Sequence, residues 1–75
     1  MQLMCCEMVI ANEIEQGVPL KDVALTYAMA IQSQAAGRQT DWVAINAAIV
    51  AKWGARGLSD VKDIAWKIIS MKVLN

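Results

Sequence analysis

The sequence predicts an all-α fold: one domain, residues 1–75, folded as a compact four-helix bundle in which short loops join antiparallel neighbours. Apolar residues recur at helical spacing along the chain, and strand-like alternation does not persist beyond a few residues. Hydrophobic residues make up 57% of the chain and charged residues 19%, a high apolar share for a protein with so little interior. Glycines and the single proline fall between the periodic stretches, where they mark helix ends.

The first two helices are predicted from the residues that separate them. Helix one covers about residues 2–16 and stops at Gly17, because glycine readily adopts the left-handed conformation that ends many helices. Pro19 suits the first turn of helix two, where a missing N–H costs nothing. Helix two then extends to about Ala36 and ends at Gly37. We therefore expect helices one and two to pack as antiparallel neighbours.

Helices three and four are predicted from their capping residues. Thr40 or Asp41 caps helix three, which reaches about Trp53 and stops at a glycine-containing loop, residues 54–57. Ser59 caps helix four, whose first turn then carries an acidic residue, as the helix dipole favours. These bounds complete the predicted bundle of four helices.

Helix three is apolar almost all the way round. Between Asp41 and Lys52 the only polar side chain is Asn46. We therefore predict that helix three is the central helix, covered by the other three, and that the buried Asn46 amide finds a hydrogen-bond partner. Whether Asn46 is structural or sets the register with a partner stays open. The predicted core positions are Ile10, Ile14, Val23, Tyr27, Ile31, Trp42, Ile45, Ile49, Trp53, Ile64 and Ile68, and the core stripe of helix four also includes Val61, Ala65 and Met71.

Several large apolar residues lie outside these core stripes. Helix one carries a second stripe, helix two carries an i, i+4 pair among polar residues, and helix four carries a stripe beside its core face. Apolar surface that a small core does not need is typical of interfaces, unless a crossing helix buries it. The predicted protein interface comprises Met4, Met8, Leu25, Met29, Trp66, Ile69 and Val73. We expect a protein partner, with a second copy of the chain as the first candidate, and hence a homo-oligomer.

The residues of common catalytic sites are missing. The chain has no histidine, so the usual general base near neutral pH and the commonest metal ligand are absent. The adjacent pair Cys5 and Cys6 has the wrong spacing for a zinc half-site, and no second half follows. The segment Gly54–Gly57 has no preceding strand and is too short for a phosphate-binding loop. We expect no enzyme activity, no catalytic residues, no cofactor, no metal and no small-molecule substrate.

The sequence also indicates where the protein resides. The longest uncharged run, residues 23–37, is shorter than the roughly 20 apolar residues that a membrane span needs. The N-terminus lacks the basic residues of a secretion signal, and Glu7 interrupts its apolar run. Neighbouring cysteines without other partners favour reduced thiols. We therefore expect a cytoplasmic protein that does not cross a membrane.

Nucleic-acid binding is the alternative function. Residues 1–37 carry a net charge of −3 and residues 38–75 a net charge of +3. Helix three, the glycine turn and helix four have the outline of a helix-turn-helix. A second segment, LKDVA at residues 20–24, resembles the opening of repressor-type helix-turn-helix segments, although Ala28 stands where the turn glycine is expected. The candidate phosphate contacts are Arg56, Lys62, Lys67 and Lys72.

Overall fold

The computed structural model describes the backbone of residues 6–74 and the side chains of residues 7–71. Three α-helices follow one another: α1 (Cys6–Glu15), α2 (Leu20–Ala35) and α3 (Trp42–Leu74). The described residues contain no strand, so the all-α class is confirmed. Met4 and Cys5 lie outside the described residues, as do the side chains of Cys6, Lys72 and Val73.

The prediction of a four-helix bundle is wrong. The segments expected as helices three and four form one element, α3, which is kinked at Gly54. Gly54 has φ 79° and ψ 179°, a conformation open essentially to glycine alone, and the chain is helical again directly after it. A single non-helical residue therefore changes the chain direction, and no loop forms over residues 54–57. Ser59 lies within α3 and does not cap a separate helix.

Glycines end α1 and α2 as predicted. After α1, the Gly17 N–H donates to the carbonyl of Ile14 (3.1 Å), and the Val18 N–H donates to the carbonyl of Glu13 (3.0 Å). These two bonds form a Schellman motif, which requires a left-handed residue such as Gly17, whose φ is 81°. The same pair of bonds follows α2, where Gly37 has φ 98°.

The helix starts are also close to their predicted positions. Asp41 caps α3, because its Oδ1 accepts a hydrogen bond from the backbone N–H of Ala44 (3.1 Å). Pro19 is the N-cap residue of α2, one position before the first turn in which it was predicted. Its carbonyl accepts bonds from the N–H groups of Asp22 and Val23 (3.0 and 3.2 Å).

The core is formed by the large residues predicted for it together with small residues of α2 and α3. The buried hydrophobic residues are Ile10, Val23, Ala24, Tyr27, Ala28, Ala30, Ile45, Ile49, Val61 and Ala65. Half-buried residues packed against them include Ile14, Ile31, Trp42, Trp53, Ile64 and Ile68. The buried alanines let the helices approach closely. Met71 is 65% exposed, so its assignment to the core stripe is wrong.

The first half of α3 is not a central helix. One side of it has no covering neighbour among the described residues. Val43 is accordingly 82% exposed and Val50 is also exposed, while Ile45 and Ile49 on the opposite side are fully buried.

The kink in α3 brings its two halves into close contact. Gly57 is buried, and a Cβ at this position would come closer than 3.0 Å to the Cβ of Trp53. It would also lie 3.3 Å from Cγ of Trp53 and 3.9 Å from Cδ1 of Leu20. Gly57 therefore allows the helix after the kink to pack directly against the end of the helix before it.

Candidate interaction surfaces

The first half of α3 exposes one side that consists only of apolar residues. We call it the α3 apolar face; it comprises Val43, Ala44, Ala47, Val50 and Ala51, all exposed. Their spacing places them on one broad side of the helix, opposite Ile45 and Ile49. Residues 42–51 include no charged residue, so no charge interrupts this face. The α3 apolar face is therefore an uncovered helix surface suited to packing against another helix.

The predicted interface residues are spread over all three helices. Met8 on α1, Leu25 and Met29 on α2, and Trp66 on α3 are exposed. No described helix therefore crosses over Leu25 and Met29 to bury them. Ile69 is half-buried and packs against the core, which leaves it little surface for a partner. Met4 and the side chain of Val73 lie outside the described residues.

The exposure of Val43, Val50 and Met71 was not predicted from the sequence. Val43 and Val50 were assigned to a covered helix because the whole segment is apolar. A signal was nevertheless present, since these two valines share an arc of the helix with three alanines and no large residue. A core-facing arc of a small protein normally carries its large side chains, as the opposite arc does with Ile45 and Ile49.

A second surface is a groove between the end of α2 and both halves of α3. We call it the aromatic groove; its volume is about 530 Å³. Its walls are formed by three aromatic and two aliphatic side chains, and its polar lining is formed by one amide and one ammonium group. The lining residues are Tyr27, Trp42, Trp66, Ile31, Ala35, Gln34 and Lys62. The kink at Gly54 contributes to the groove because Trp42 precedes it and Lys62 and Trp66 follow it.

Hydrogen bonds fix two of the aromatic side chains that line the groove, Tyr27 and Trp42. The Tyr27 hydroxyl donates to Oδ1 of Asn46 (3.1 Å), so the half-buried amide finds the partner predicted for it. Trp42 Nε1–H donates to Oε1 of Gln34. The rings of Tyr27 and Trp42 pack with their centroids 5.0 Å apart at 53°, within the range of favourable aromatic pairs. Burial raises the pKa of Tyr27 above 10.0, which keeps the phenol protonated.

The candidate phosphate contacts do not form a continuous basic surface. Arg56, Lys62 and Lys67 are exposed, whereas the side chain of Lys72 lies outside the described residues. Two acidic residues lie between two basic ones along one exposed side of α3, in the order Arg56, Asp60, Asp63, Lys67. Each basic residue is four positions from an acidic one, so these opposite charges are neighbours on the helix. This side of α3 therefore presents mixed charge, which is unlike the basic stripe of a nucleic-acid interface.

The described residues offer little for metal or membrane binding. Among the side chains that the structure describes, those of residues 7–71, no three His, Cys, Asp or Glu residues are grouped closely enough to hold a metal ion. None of the helices in that range combines the length and the apolar character required to cross a membrane. The two surfaces defined above are thus the most distinctive features of this part of the chain.

Comparisons with known proteins assign no family to the chain. No protein-family model matches it, no curated protein is significantly similar in sequence, and no solved structure is significantly similar in fold.

Proposed function

We propose that this protein is a small non-enzymatic interaction module that associates with a second copy of itself through the α3 apolar face. The observation that carries the proposal is the exposure of five apolar side chains on one helix side that has no charged residue. Contiguous exposed apolar surface is costly in water and commonly marks a protein interface. The adjacent cysteines favour a reducing compartment, which supports a location in the cytoplasm. In this proposal the module acts there as an adaptor or inhibitor.

The absence of charge on this face supports a second copy as the partner. In a two-fold symmetric dimer the same patch meets itself, so a charged residue near the axis faces its own copy. Like charges at that position would oppose association, and the α3 apolar face has none. Its valines and alanines are also small, which lets two helix backbones approach closely and bury the face between them.

Charge substitutions on the face test this proposal. The double variant Val43→Lys, Val50→Lys places two positive charges within the α3 apolar face, and Val43→Glu, Val50→Glu places two negative charges there. Each variant alone should be monomeric, because like charges meet across the two-fold axis. An equimolar mixture should form a heterodimer, because opposite charges then meet. Sedimentation velocity measures these states against the monomer mass of 8.2 kDa.

A matched control separates the face from a general effect of charge. Ala55→Lys, Ser59→Lys adds the same two charges at exposed positions in the second half of α3. This control should associate like the unmodified protein. A wild-type chain that remains monomeric up to millimolar concentration contradicts self-association, and so does a mixture of the two charged variants that stays monomeric while both remain helical by circular dichroism.

The exposed pair on α2 is a separate prediction of the same kind. Met29→Glu should weaken association and leave the helical circular dichroism intact if Leu25 and Met29 extend the interface. Met29→Leu, which keeps an apolar side chain at the same exposed position, is the matched control. Equal association by both variants would restrict the interface to the α3 apolar face.

The nucleic-acid alternative remains a prediction that no structural observation favours. If it holds, binding to a generic duplex falls steeply with salt, because bound cations are released from the phosphates. The double substitution Lys62→Ala, Lys67→Ala should then flatten that salt dependence. Absence of duplex binding at low salt would remove this alternative.

A further inference from the structure

The aromatic groove has the size and composition of a ligand site. Its volume of about 530 Å³ lies within the range of roughly 300–1,000 Å³ that is typical of small-molecule pockets. No residue of the α3 apolar face lines it, so it is a separate surface from the proposed dimer contact. Trp66 forms one wall and is 53% exposed, so much of its ring surface is free to contact a ligand.

The hydrogen bonds within the groove determine which polar groups remain available. Oε1 of Gln34 already accepts a bond from Trp42, and the Tyr27 hydroxyl already donates to Asn46. The NH₂ group of Gln34 and the Lys62 ammonium group are donors in the groove, and an ammonium group cannot accept a hydrogen bond. A ligand that carries acceptor atoms can therefore bind both groups. Lys62 is also the only charged side chain among the residues that line the groove, which favours a negative charge on the ligand.

We infer that the aromatic groove binds a small molecule that combines a flat apolar ring system with a carboxylate. The ring lies against Trp66 and Trp42, and the carboxylate faces Lys62 and the Gln34 amide. Aromatic walls alone would also attract a cation through its interaction with the ring faces. The positive charge of Lys62 opposes a cation in the groove, so charge decides between the two ligand classes.

Two probes of matching shape test this inference. Indole-3-propionate and tryptamine carry the same ring on a two-carbon linker, but the first ends in a carboxylate and the second in an ammonium group. Binding is followed by the indole N–H signals of the ¹⁵N-labelled protein, which has three tryptophans. Signals of Trp42 and Trp66 should shift saturably with indole-3-propionate. The signal of Trp53 should stay in place because Trp53 does not line the groove.

The affinity difference follows from the charge of Lys62. An exposed ion pair changes affinity by up to a few-fold, and exchanging attraction for repulsion about doubles that free energy, so indole-3-propionate should bind about tenfold tighter. Lys62→Glu should reverse the preference toward tryptamine, and Lys62→Gln should nearly abolish it. Lys67→Glu is the matched control: it is an exposed residue of α3 outside the groove and should leave the preference unchanged.

Several results would overturn the inference. Equal affinity for both probes would show that Lys62 does not select the charge of the ligand. A folded Lys62→Glu variant that still prefers indole-3-propionate to tryptamine would show the same. Failure of both probes to bind at millimolar concentration shows that the groove is not a site for such molecules. Shifts of equal size at Trp53 would place the binding elsewhere.

Discussion

Gly57→Ala is the substitution with the clearest structural consequence. In an exposed helix an alanine is more favourable than a glycine by about 1 kcal/mol, so helix propensity alone predicts a more stable protein. The structure predicts the opposite. The new Cβ would overlap the Cβ of Trp53, which is attached directly to the backbone and cannot rotate away, and it would also press on Cγ at 3.3 Å.

The magnitude follows from these two opposing effects. Forcing an extra methyl group into a packed site costs about 1–3 kcal/mol, and the rigid neighbour favours the upper end of that range. After subtraction of the propensity gain, the free energy of unfolding should fall by about 2 kcal/mol. In a domain of this size such a loss lowers Tm by roughly 8–16 °C. Urea and thermal unfolding followed by circular dichroism measure both quantities.

Two control variants separate the overlap from other glycine effects. At Gly54 an added Cβ meets nothing within 4 Å, so Gly54→Ala reports backbone strain alone, about 1–3 kcal/mol. Ala55→Gly at an exposed position reports helix propensity alone, about 1 kcal/mol. If Gly57→Ala is as stable as the wild type or more stable, the close contact between Gly57 and Trp53 does not exist, and the reasoning about the kink is refuted.

Three further predictions concern single side chains. Asp41→Ala removes the acceptor of the Ala44 N–H and should lower the unfolding free energy by about 1 kcal/mol in urea titrations, while Asp41→Asn should retain most of it. Tyr27 is the only tyrosine, so a pH titration of tyrosine absorbance should report its pKa above 10.0. The stability that its burial contributes is present below pH 10 and is lost as the pH rises through the pKa of the folded state. The variant Tyr27→Phe should not show this loss. Glu13→Met should raise the unfolding free energy by about 1 kcal/mol, because Oε1 of Glu13 is buried without a hydrogen-bond partner; an unchanged urea midpoint would contradict this.

Much of the local structure could be read from the sequence. Gly17 and Gly37 end helices because a left-handed residue closes a Schellman motif, and Asp41 begins one because its carboxylate binds a free N–H. These are interactions between residues a few positions apart. The core stripes were predictable for the same reason, because helical spacing determines which side chains share a face.

The candidate sites were less accessible to sequence reasoning. Exposed positions such as Met29 and Trp66 were predicted, since large apolar residues outside a core stripe have no cover within their own helix. The aromatic groove was not predicted. It joins Tyr27, Trp42 and Trp66, which are far apart in the chain and come together only when the end of α2 packs against both halves of α3.

By itself the sequence determined that the chain is helical, where α1 and α2 end, and most of the residues that face inward. Only the tertiary structure decided that Gly54 makes a kink within one helix and that the first half of α3 is left uncovered. The spacing of apolar residues describes a helix and its faces, but it carries no information on how many neighbours that helix acquires. Among the described residues no helix covers Val43 and Val50, and their exposure follows from that arrangement.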